Sequence, residues 1–464
     1  MPRPVPPLAR RLVTGALAGV LALTLLGAVG GSEAATPVAA KAKKLNVVTP
    51  GDFTGYGFDQ CQAPSQARMD RWLQSSPFLA VGIYIDGDSR ACRDQKYLDA
   101  TWVSTQLARG WRLLPITLGP QASCQPRFPR YKDDVKISPK ANSKGAYATA
   151  LKQGRTQASE SVDAAKALGI AAGSTLWYDL EGFDLANTRC RESALSFLSG
   201  WTQQIRALGY VSGVYSSAGS GIKALDDARV NRPTTYTLPD QIWIARWDGV
   251  ANTRTSYIRN DGWTPNARVK QYQGGHDETW GGITINIDRN FLDVGRGSIA
   301  ARETYCGGVP VRSTGYLVLR PRTATTTPPA DQVKVLQCLL QRQGVYTGKI
   351  HGRYNKRTLA AVNAWQTAHG LGVRAAWSRK AWMTLFSAGE TPVLKYGSSG
   401  SAVRRLQRAL SVAAVGSIAA EVRANGVFGS TTDKALRAWQ KKVGVEVSGV
   451  AGTETWPAIQ RGLR

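Results

Sequence analysis

Eight short apolar segments, separated in the first half by helical patterns, constrain the fold of this 464-residue chain most strongly. They read GYGFDQC (55–61), FLAVGIYIDG (78–87), WRLLPITLG (111–119), STLWYDLEG (174–182), VSGVYSS (211–217), QIWIARWDG (241–249), RVKQYQGG (268–275) and TINIDRNFLD (284–293). Strands that alternate with helices form a parallel sheet, and eight such units predict an α/β TIM-type (β/α)8 barrel. The last units have little helical sequence between them, which leaves room for an incomplete barrel.

Polar residues lie at the carboxyl ends of these strands, where TIM barrels carry their chemistry. The candidates are Asp59, Asp86, Asp179, Glu181, Trp247, Asp248, Gln271, Tyr272 and Asp288. In YDLE, period-2 alternation places Asp179 and Glu181 on one face, so both carboxylates should point into the barrel mouth. Two like charges held together raise one pKa, and this creates the acid and carboxylate that glycosidic cleavage requires. The structural alternative is an acid that caps a helix or pairs with Arg246 or Arg289.

The aromatic residues and the few histidines indicate which kinds of site the barrel can carry. Tyr178, Trp247 and Tyr272 are candidates for stacking on sugar rings, although aromatic residues near strand ends are as often plain core. The chain has no G-x-S-x-G motif, and its three His leave little for a triad or a zinc site. We therefore predict neither a metal nor a cofactor, and we expect His276 to be a structural donor.

The last third of the chain contains an internal repeat. The first copy reads VKVLQCLL (333–340) and HGRYNKRTLAAVNAWQ (351–366), and the second reads VRRLQRAL (403–410) and NGVFGSTTDKALRAWQ (425–440). The offset between the copies grows from 70 to 74 residues, which places a four-residue insertion before the Asn-Gly turn of the second copy. Apolar residues at helical spacing predict a short three-helix unit for each copy.

The repeat resembles the peptidoglycan-binding domain type 1 family, which shows an LQ helix, an FG-x-x-T turn and a helix ending in FQ. VSGVAGTETW (447–456) fits the family's closing signature except that Ser448 replaces an Asp. The first copy departs more, because Arg353-Tyr354-Asn355 replaces the FG turn. The resemblance implies that these modules bind peptidoglycan.

Composition shifts divide the chain into six segments. We predict a signal peptide at 1–40, a linker at 41–54, the barrel at 55–295, a second linker at 296–330, and the two repeats at 331–389 and 390–464. The Pro/Thr-rich stretch RPRTATTTPPA (320–330) marks the second linker.

The N-terminus has the pattern of a secretory signal. Basic residues, among them the Arg10-Arg11 pair, precede an apolar run from Leu12 to Gly31 and then small residues. The pair also admits a twin-arginine signal, and an uncleaved anchor is the alternative. Five glycines make that run a poor anchor helix, so we predict cleavage, export and no stable membrane span afterwards.

Six cysteines agree with an oxidising compartment. They allow 15 pairings, among which sequence does not choose. Order along the chain makes Cys61–Cys92, Cys124–Cys190 and Cys306–Cys338 a first guess.

The chain is strongly basic, with a formal net charge of +27. Residues 331–464 carry 20 Lys+Arg and 6 Asp+Glu, a balance of +14. Such a field attracts polyanions, and outside a Gram-positive-type cell these are anionic wall polymers and anionic membrane. The alternatives are nucleic acid and a merely solvated face. No recognition motif accompanies the charge, so we predict no nucleic-acid partner.

The strand ends GFD, YDLE, WIARWDG, QYQGG and NIDRN resemble the glycoside-hydrolase-like domain of unknown function 1906, found in secreted actinobacterial proteins and related in fold to family 25 lysozymes. Carried over by motif, the resemblance implies a site of Asp59, Asp179, Glu181 and Asp288, with Glu181 as proton donor. The first strand departs from the lysozyme pattern, since GFDQC lacks the Ser-containing turn. Fold likeness alone does not establish turnover.

Two functions follow as hypotheses. The first is a secreted, cell-wall-associated glycoside hydrolase, lysozyme-like, which the repeats hold on peptidoglycan or a related wall glycan. In it Glu181 protonates the leaving oxygen. Asp179 or Asp288 stabilises the oxocarbenium-like centre or orients the attacking N-acetyl group or water, and Asp59 holds a sugar hydroxyl or tunes its neighbours. Gln271 and Asp86 would help to bind substrate. The second is a non-catalytic wall-binding protein on a hydrolase scaffold, because acids also hydrogen-bond sugars.

Overall fold

A computed structural model describes residues 46–125, 131, 133–304, 308–413 and 416–464. The signal segment predicted at 1–40 lies outside these residues, and so does Cys306 with its predicted disulfide to Cys338. None of the helices in the described ranges is long and apolar enough to cross a membrane.

Eight strands close into a barrel in which each strand pairs with its neighbours along the chain. The strands are β1 Phe53–Asp59, β2 Ala80–Asp86, β3 Arg112–Thr117, β4 Thr175–Asp179, β5 Val211–Ser217, β6 Gln241–Ala245, β7 Ala267–Trp280 and β8 Ile283–Val294. All eight overlap the apolar segments of the sequence. The prediction of a TIM-type barrel followed by small helical domains is confirmed.

Five helices cover the outside of the barrel. They are α1 Gln66–Ser75, α2 Ala100–Ala108, α3 Ala148–Ala167, α4 Thr188–Ala207 and α5 Lys223–Asn231. Between β5 and α5 lies one turn of π-helix, Ala218–Ile222. The long helices α3 and α4 approach closely at Gly154, where an added Cβ would lie 2.0 Å from the Phe197 carbonyl oxygen. This contact requires glycine.

The barrel departs from a regular (β/α)8 arrangement at its end. Strand β8 runs antiparallel to both β7 and β1, whereas alternation with helices predicted a parallel sheet. Residues 246–266, all described, form turns rather than a helix. The β7–β8 hairpin folds over α1, where Ile285 and Ile287 join the core and the Trp72 Nε1 donates to the Ile283 carbonyl at 3.0 Å. The hairpin thus covers a surface that a helix would otherwise bury.

Apolar side chains fill the barrel interior below the mouth. The cluster contains large residues from several strands, namely Phe53, Leu114, Ile116, Trp177, Trp243, Val269 and Leu292. The interior is a packed core rather than a pore, and the polar groups of the predicted site lie in the layer above it. That layer is the mouth, at the carboxyl ends of the parallel strands.

The C-terminal third is helical. The first repeat contains α6 Ala330–Arg342, α7 Lys356–Ala368 and α8 Arg379–Ser387; the second contains α9 Ser401–Ala413, α10 Ile418–Glu421, α11 Ser430–Val443 and α12 Thr455–Gln460. The short α10 lies where the repeats differ by a four-residue insertion. The two repeats share one apolar cluster, which Tyr316 and Leu319, from the stretch between barrel and repeats, also join.

Buried glutamines hold the turns of each repeat. Gln407 of the LQ motif donates to Val427 O at 2.9 Å and to Thr432 Oγ1 at 3.0 Å, and it accepts from the Gly426 N–H. Gln337 makes the matching contacts in the first repeat. The shared LQ pattern therefore has a structural cause, because one amide satisfies several buried backbone groups.

The second repeat packs against the base of the barrel, the end opposite the mouth. The Lys395 Nζ enters this base and donates to three backbone carbonyls, Trp72 at 3.4 Å, Ser76 at 2.7 Å and Phe78 at 3.1 Å. Beside it, the Tyr396 ring packs edge-on against barrel aromatic side chains. The ammonium group thus binds carbonyls at the C-terminal end of α1, where the helix dipole favours a cation.

Two disulfides stabilise the loops around the mouth. Cys61 bonds to Cys92, which joins the β1–α1 loop to the β2–α2 loop, and Cys124 bonds to Cys190 at the start of α4. Both pairings match the order-based guess from the sequence.

Candidate active site

Two aspartates lie side by side at the mouth. Asp59 ends β1, and Asp288 is its direct partner on antiparallel β8, within hydrogen-bonding contact. Burial raises the pKa of Asp59 to about 6, although hydrogen bonds from Asn290 and Gln271 act in the other direction. Burial, together with the charges of Asp59 and Glu181, raises the pKa of Asp288 to about 8. At neutral pH the pair therefore holds one proton, with Asp288 as the carboxylic acid and Asp59 as the carboxylate.

Amide donors fix the Asp59 carboxylate. The Asn290 Nδ2 donates to Oδ1 at 2.6 Å, and the Gln271 Nε2 lies 3.2 and 3.3 Å from the two oxygens. Each amide is oriented in turn, because the Trp243 Nε1 donates to Asn290 Oδ1 at 2.8 Å and the Tyr215 hydroxyl donates to Gln271 Oε1 at 3.0 Å. Donors on every side favour the ionised form of Asp59.

Asp179 and Glu181 complete the group of four acids. Asp179 is buried and accepts from the Tyr84 hydroxyl at 3.2 Å, whereas Glu181 is half-buried just past the end of β4. The Gln121 side chain clamps the backbone of this segment: its Nε2 donates to Asp179 O and its Oε1 accepts from the Glu181 N–H, both at 2.9 Å. Because Glu181 acts on the pKa of Asp288, carboxyl groups from β1, β4 and β8 meet at one mouth.

A cavity of about 240 Å³ opens onto the aspartate pair. Its polar lining comes from Asp59, Tyr84, Arg90, Asn286 and Asp288, and the Cys61–Cys92 disulfide forms part of its wall. The cavity thus offers an acid, a carboxylate, a phenol and a guanidinium to one bound group. The described residues include no cluster of three or more His, Cys, Asp or Glu side chains arranged to hold a metal ion.

Trp247 lies on the rim of the mouth with 62% of its surface exposed. Its indole Nε1 donates to Gln271 Oε1 at 2.9 Å, and its ring covers Gly274, where an added Cβ would lie 2.4 Å from the ring. A large aromatic ring is therefore held in a fixed orientation while one face remains open to solvent. This arrangement suits stacking against a sugar.

Of the predicted site residues, only Asp59 and Asp288 line the cavity. Three of the five predicted substrate-binding residues make contacts elsewhere. Tyr178 packs against helix α4, and its hydroxyl donates to Pro120 O at 2.6 Å. Tyr272 is buried beside Arg289, and burial raises its pKa to about 12. Asp86 accepts hydrogen bonds from Gln157 and Ser161 on α3.

A local irregularity of the sheet explains why the Asp86 side chain points toward α3 rather than into the mouth. Period-2 alternation would place it on the inner face with Tyr84, but the register between β2 and β3 shifts between these two residues. A bulge of this kind turns the following side chain to the other face. Asp248, another strand-end acid, pairs with the buried Lys270 at 3.0 Å.

His276 has the structural role that the sequence favoured. Its ring nitrogens contact the Gly274 carbonyl at 2.8 Å and Glu278 at 3.0 Å, and Glu278 also binds Arg289. This group stabilises the start of the β7–β8 hairpin.

Several residues of the site were missed at the level of sequence: Tyr84, Arg90, Gln121, Tyr215, Trp243 and Asn290. For some of them, the alternation of side chains between the two faces of a strand could have predicted a position on the inner face. Asn290 follows Asp288 by two residues, and Tyr84 lies two residues from Gly82, which packs against Asp59. Gln121 and Arg90 lie in loops, where no periodicity applies.

Comparisons with known families agree with this organisation. Residues 70–292 match the family model described as the Rv2525c-like, glycoside hydrolase-like domain. Residues 329–373 and 399–459 match the model of a peptidoglycan binding domain, PG_binding_1. No curated protein sequence matches the chain. The two matches confirm the resemblances predicted from the strand ends and the repeat, and they support a function related to cell-wall glycans.

Solved structures are similar to the chain at low identity. The Tat-secreted protein Rv2525c of Mycobacterium tuberculosis, in complex with L-tartrate, is 12% identical with a TM-score of 0.32, over 52% of this chain and 95% of that one. A family 25 glycosyl hydrolase from Bacillus anthracis is 14% identical with a TM-score of 0.32, over 55% and 96%. The autolysin LytC from Streptococcus pneumoniae is 12% identical with a TM-score of 0.32, over 51% and 46%.

Proposed function

We propose that this chain, whose barrel belongs to the Rv2525c-like glycoside hydrolase-like family and whose repeats belong to a peptidoglycan binding family, is a secreted, cell-wall-associated glycosidase. Its substrate would be peptidoglycan or a related wall glycan. The observation that carries the proposal is the aspartate pair at the mouth: a protonated Asp288 and an ionised Asp59 line one cavity, and the charge of Glu181 contributes to the raised pKa of Asp288. A purely structural pair of acids would contact a cation, whereas Asp59 and Asp288 contact each other.

Glu181 would be the general acid. Its half-buried position just past the end of β4 supports this role, because a partly exposed carboxyl group can accept a contact from a glycan. Protonation of the leaving oxygen by a positioned carboxylic acid contributes about 10²–10⁴-fold to such reactions. The clamp by Gln121 holds the backbone of Glu181 in place during this transfer.

Asp179 and Asp288 would act on the opposite side of the sugar. Asp179, oriented by the Tyr84 hydroxyl, would stabilise an oxocarbenium-like centre. Asp288, as the neutral acid of its pair, can donate a hydrogen bond to a sugar N-acetyl or hydroxyl oxygen. Asp59 maintains that protonation state, because its negative charge raises the pKa of Asp288.

The rim and the repeats would provide binding. Trp247 would stack on a sugar ring adjacent to the cleavage point, where its ring is 62% exposed. The repeats would raise the local concentration of the barrel on its polymer, which increases the apparent affinity without new contacts in the mouth.

The test is digestion of purified peptidoglycan by the wild-type chain and by Glu181→Gln, with the exposed Glu446→Gln as a matched control. We expect soluble muropeptides with new reducing ends from wild type and Glu446→Gln. Glu181→Gln should lose at least about 100-fold of this release because it cannot donate the proton. Binding to the wall without products from wild type would instead indicate a glycan-binding protein on a hydrolase scaffold.

A further inference from the structure

Arg90 is a cation in the cavity wall that forms no ion pair with the described residues. Its Nε donates to Gly87 O at 2.8 Å and its Nη1 lies 3.4 Å from Tyr84 O. Both partners are backbone carbonyls. A guanidinium has five N–H donors in a fixed fork, so these contacts leave donors directed elsewhere. Arg90 also lines the cavity that holds Asp59 and Asp288.

Burial of this charge is costly in the absence of a ligand. Arg90 is half-buried, and this desolvation lowers the pKa of its guanidinium, whereas the charges of Asp86 and Asp88 raise it. A half-buried cation normally has a carboxylate in contact. The neighbouring Arg93 shows the contrast, because it is exposed and reaches Asp134 at 3.5 Å.

The loop that carries Arg90 is held rigidly. Gly87 has φ +98°, and a Cβ there would lie 2.2 Å from Leu118 O, so the turn after β2 requires glycine. The Cys61–Cys92 disulfide ties the loop to the end of β1, and the Gln95 side chain donates to both Cys61 O and Cys92 O. A charge fixed in this way is preorganised for a partner, which lowers the entropic cost of binding.

We propose that Arg90 binds an oxyanion, a carboxylate or a phosphate, carried by the sugar in the mouth, so that the barrel selects acidic over neutral glycans. The planar fork of a guanidinium matches such groups with two parallel hydrogen bonds. An anion is tolerated beside two aspartates because Asp288 is protonated at neutral pH. The inference names the substrate class of the proposed glycosidase site and in that sense rests on the proposed function.

The experiment measures binding rather than turnover. A failure of the proposed anion selectivity can therefore be distinguished from a failure of the proposed glycosidase function. The full chain is titrated with three monosaccharides: neutral N-acetylglucosamine, N-acetylmuramic acid with its free carboxylate, and N-acetylglucosamine 6-phosphate. Calorimetry or chemical-shift changes report the affinities. We expect at least one acidic sugar to bind about tenfold more tightly than the neutral one, and the two acidic arms distinguish carboxylate from phosphate.

Variants assign the preference to Arg90. Arg90→Gln should abolish the preference, measured as the ratio of the affinities for acidic and neutral sugar, while Arg90→Lys should retain part of it. Arg93→Gln, on the same loop, is the matched control and should behave as wild type. The unfolding midpoint of each variant shows that the loop remains folded, and Arg90→Lys provides the charge-retaining comparison if Arg90→Gln is destabilised.

Three results would overturn the inference. Equal affinity for all three sugars would remove the selectivity. A preference that survives in Arg90→Gln would place the anion elsewhere, for example on the basic repeats. The absence of detectable binding by either acidic sugar would show that the cavity does not accept this class. Failure to digest peptidoglycan, by contrast, would leave the binding preference intact.

Discussion

The two ends of the barrel both bury ionisable groups, but they treat them differently. At the base, burial lowers the pKa of Lys395, but its Nζ donates to three carbonyls and lies 5.6 Å from the centroid of the Trp111 ring. At the mouth, Asp59 and Asp288 lie against each other and against an open cavity, and their pKa values are raised. A buried charge whose hydrogen-bonding capacity is filled by the protein stabilises the fold, whereas acids that face each other and a cavity are available to a ligand.

The second repeat and the mouth of the barrel also differ in role, because the repeat contributes packing at the base and the mouth carries the candidate site. The repeat is part of the packing at the base: the Ser298 hydroxyl donates to Gly397 O at 2.8 Å, and Arg408 pairs with Glu303. The mouth lies at the opposite end, so contacts of this repeat with the barrel leave the candidate site open.

The largest effect is expected at the base. Lys395→Met keeps the aliphatic volume but leaves three buried carbonyls without their donor, so the free energy of unfolding should fall by about 3 kcal/mol. Chemical denaturation of the full chain measures this. Lys434→Met, an exposed lysine of the same repeat, is the control and should change stability by less than about 0.5 kcal/mol. Equal stability of the two variants would mean that Lys395 does not couple the repeat to the barrel.

At the mouth, a variant that removes charge should stabilise the chain at high pH. Because the pKa of Asp288 is raised when folded, the folded state binds its proton more tightly, and stability falls as pH rises from the unfolded value near 4 through the folded value of about 8. Asp288→Asn lacks this loss, so between pH 5 and pH 9 its stability relative to wild type should rise by up to about 1.4 kcal/mol per pH unit, levelling off above the folded pKa. Urea titrations at both pH values measure the gain.

The matched control for that comparison is Asp277→Asn, an exposed acid on the same hairpin. It should leave the pH dependence of stability unchanged. If Asp288→Asn follows the wild-type pH dependence, the aspartate pair is not strained, and the contrast between mouth and base does not hold.

The smallest effect is expected at the rim. Trp247→Ala removes the exposed ring and should raise the KM for wall glycan by about 2–10-fold with kcat little changed, since ring stacking contributes about 0.5–1.5 kcal/mol. Trp247→Phe keeps a ring but loses the hydrogen bond to Gln271, so it separates stacking from positioning. A fall in kcat with unchanged KM in both variants would show that Trp247 acts through Gln271 and Asp59 instead.

Many residues of the mouth could be predicted from the sequence. Alternation within each strand places Asp59, Asp179 and Gln271 on the inner face, and the eight apolar segments locate their strands. The same rule places Tyr178 outside, because it is adjacent to Asp179. It could not anticipate Asp86, whose direction depends on a register shift between two strands, nor the reversal of β8, because alternation carries no information about strand direction.

The contacts at the base of the barrel could not be predicted from the sequence. Lysine is ordinarily a surface residue, and nothing near Lys395 in the sequence distinguishes it from the other basic residues of the repeats. Its burial depends on carbonyls of Trp72, Ser76 and Phe78, more than 300 positions away. Contacts of this kind have no local signature.

One experiment tests the mouth for catalysis and the fold for stability at the same time. The release of reducing ends from purified peptidoglycan is measured for wild type and Glu181→Gln, and the urea unfolding midpoint is recorded on the same preparations. If the mouth is catalytic, wild type releases soluble fragments, and Glu181→Gln loses at least about 100-fold of that release at an unchanged midpoint. Undiminished release by Glu181→Gln, or no release by folded wild type, would contradict a catalytic role for the acids at the mouth.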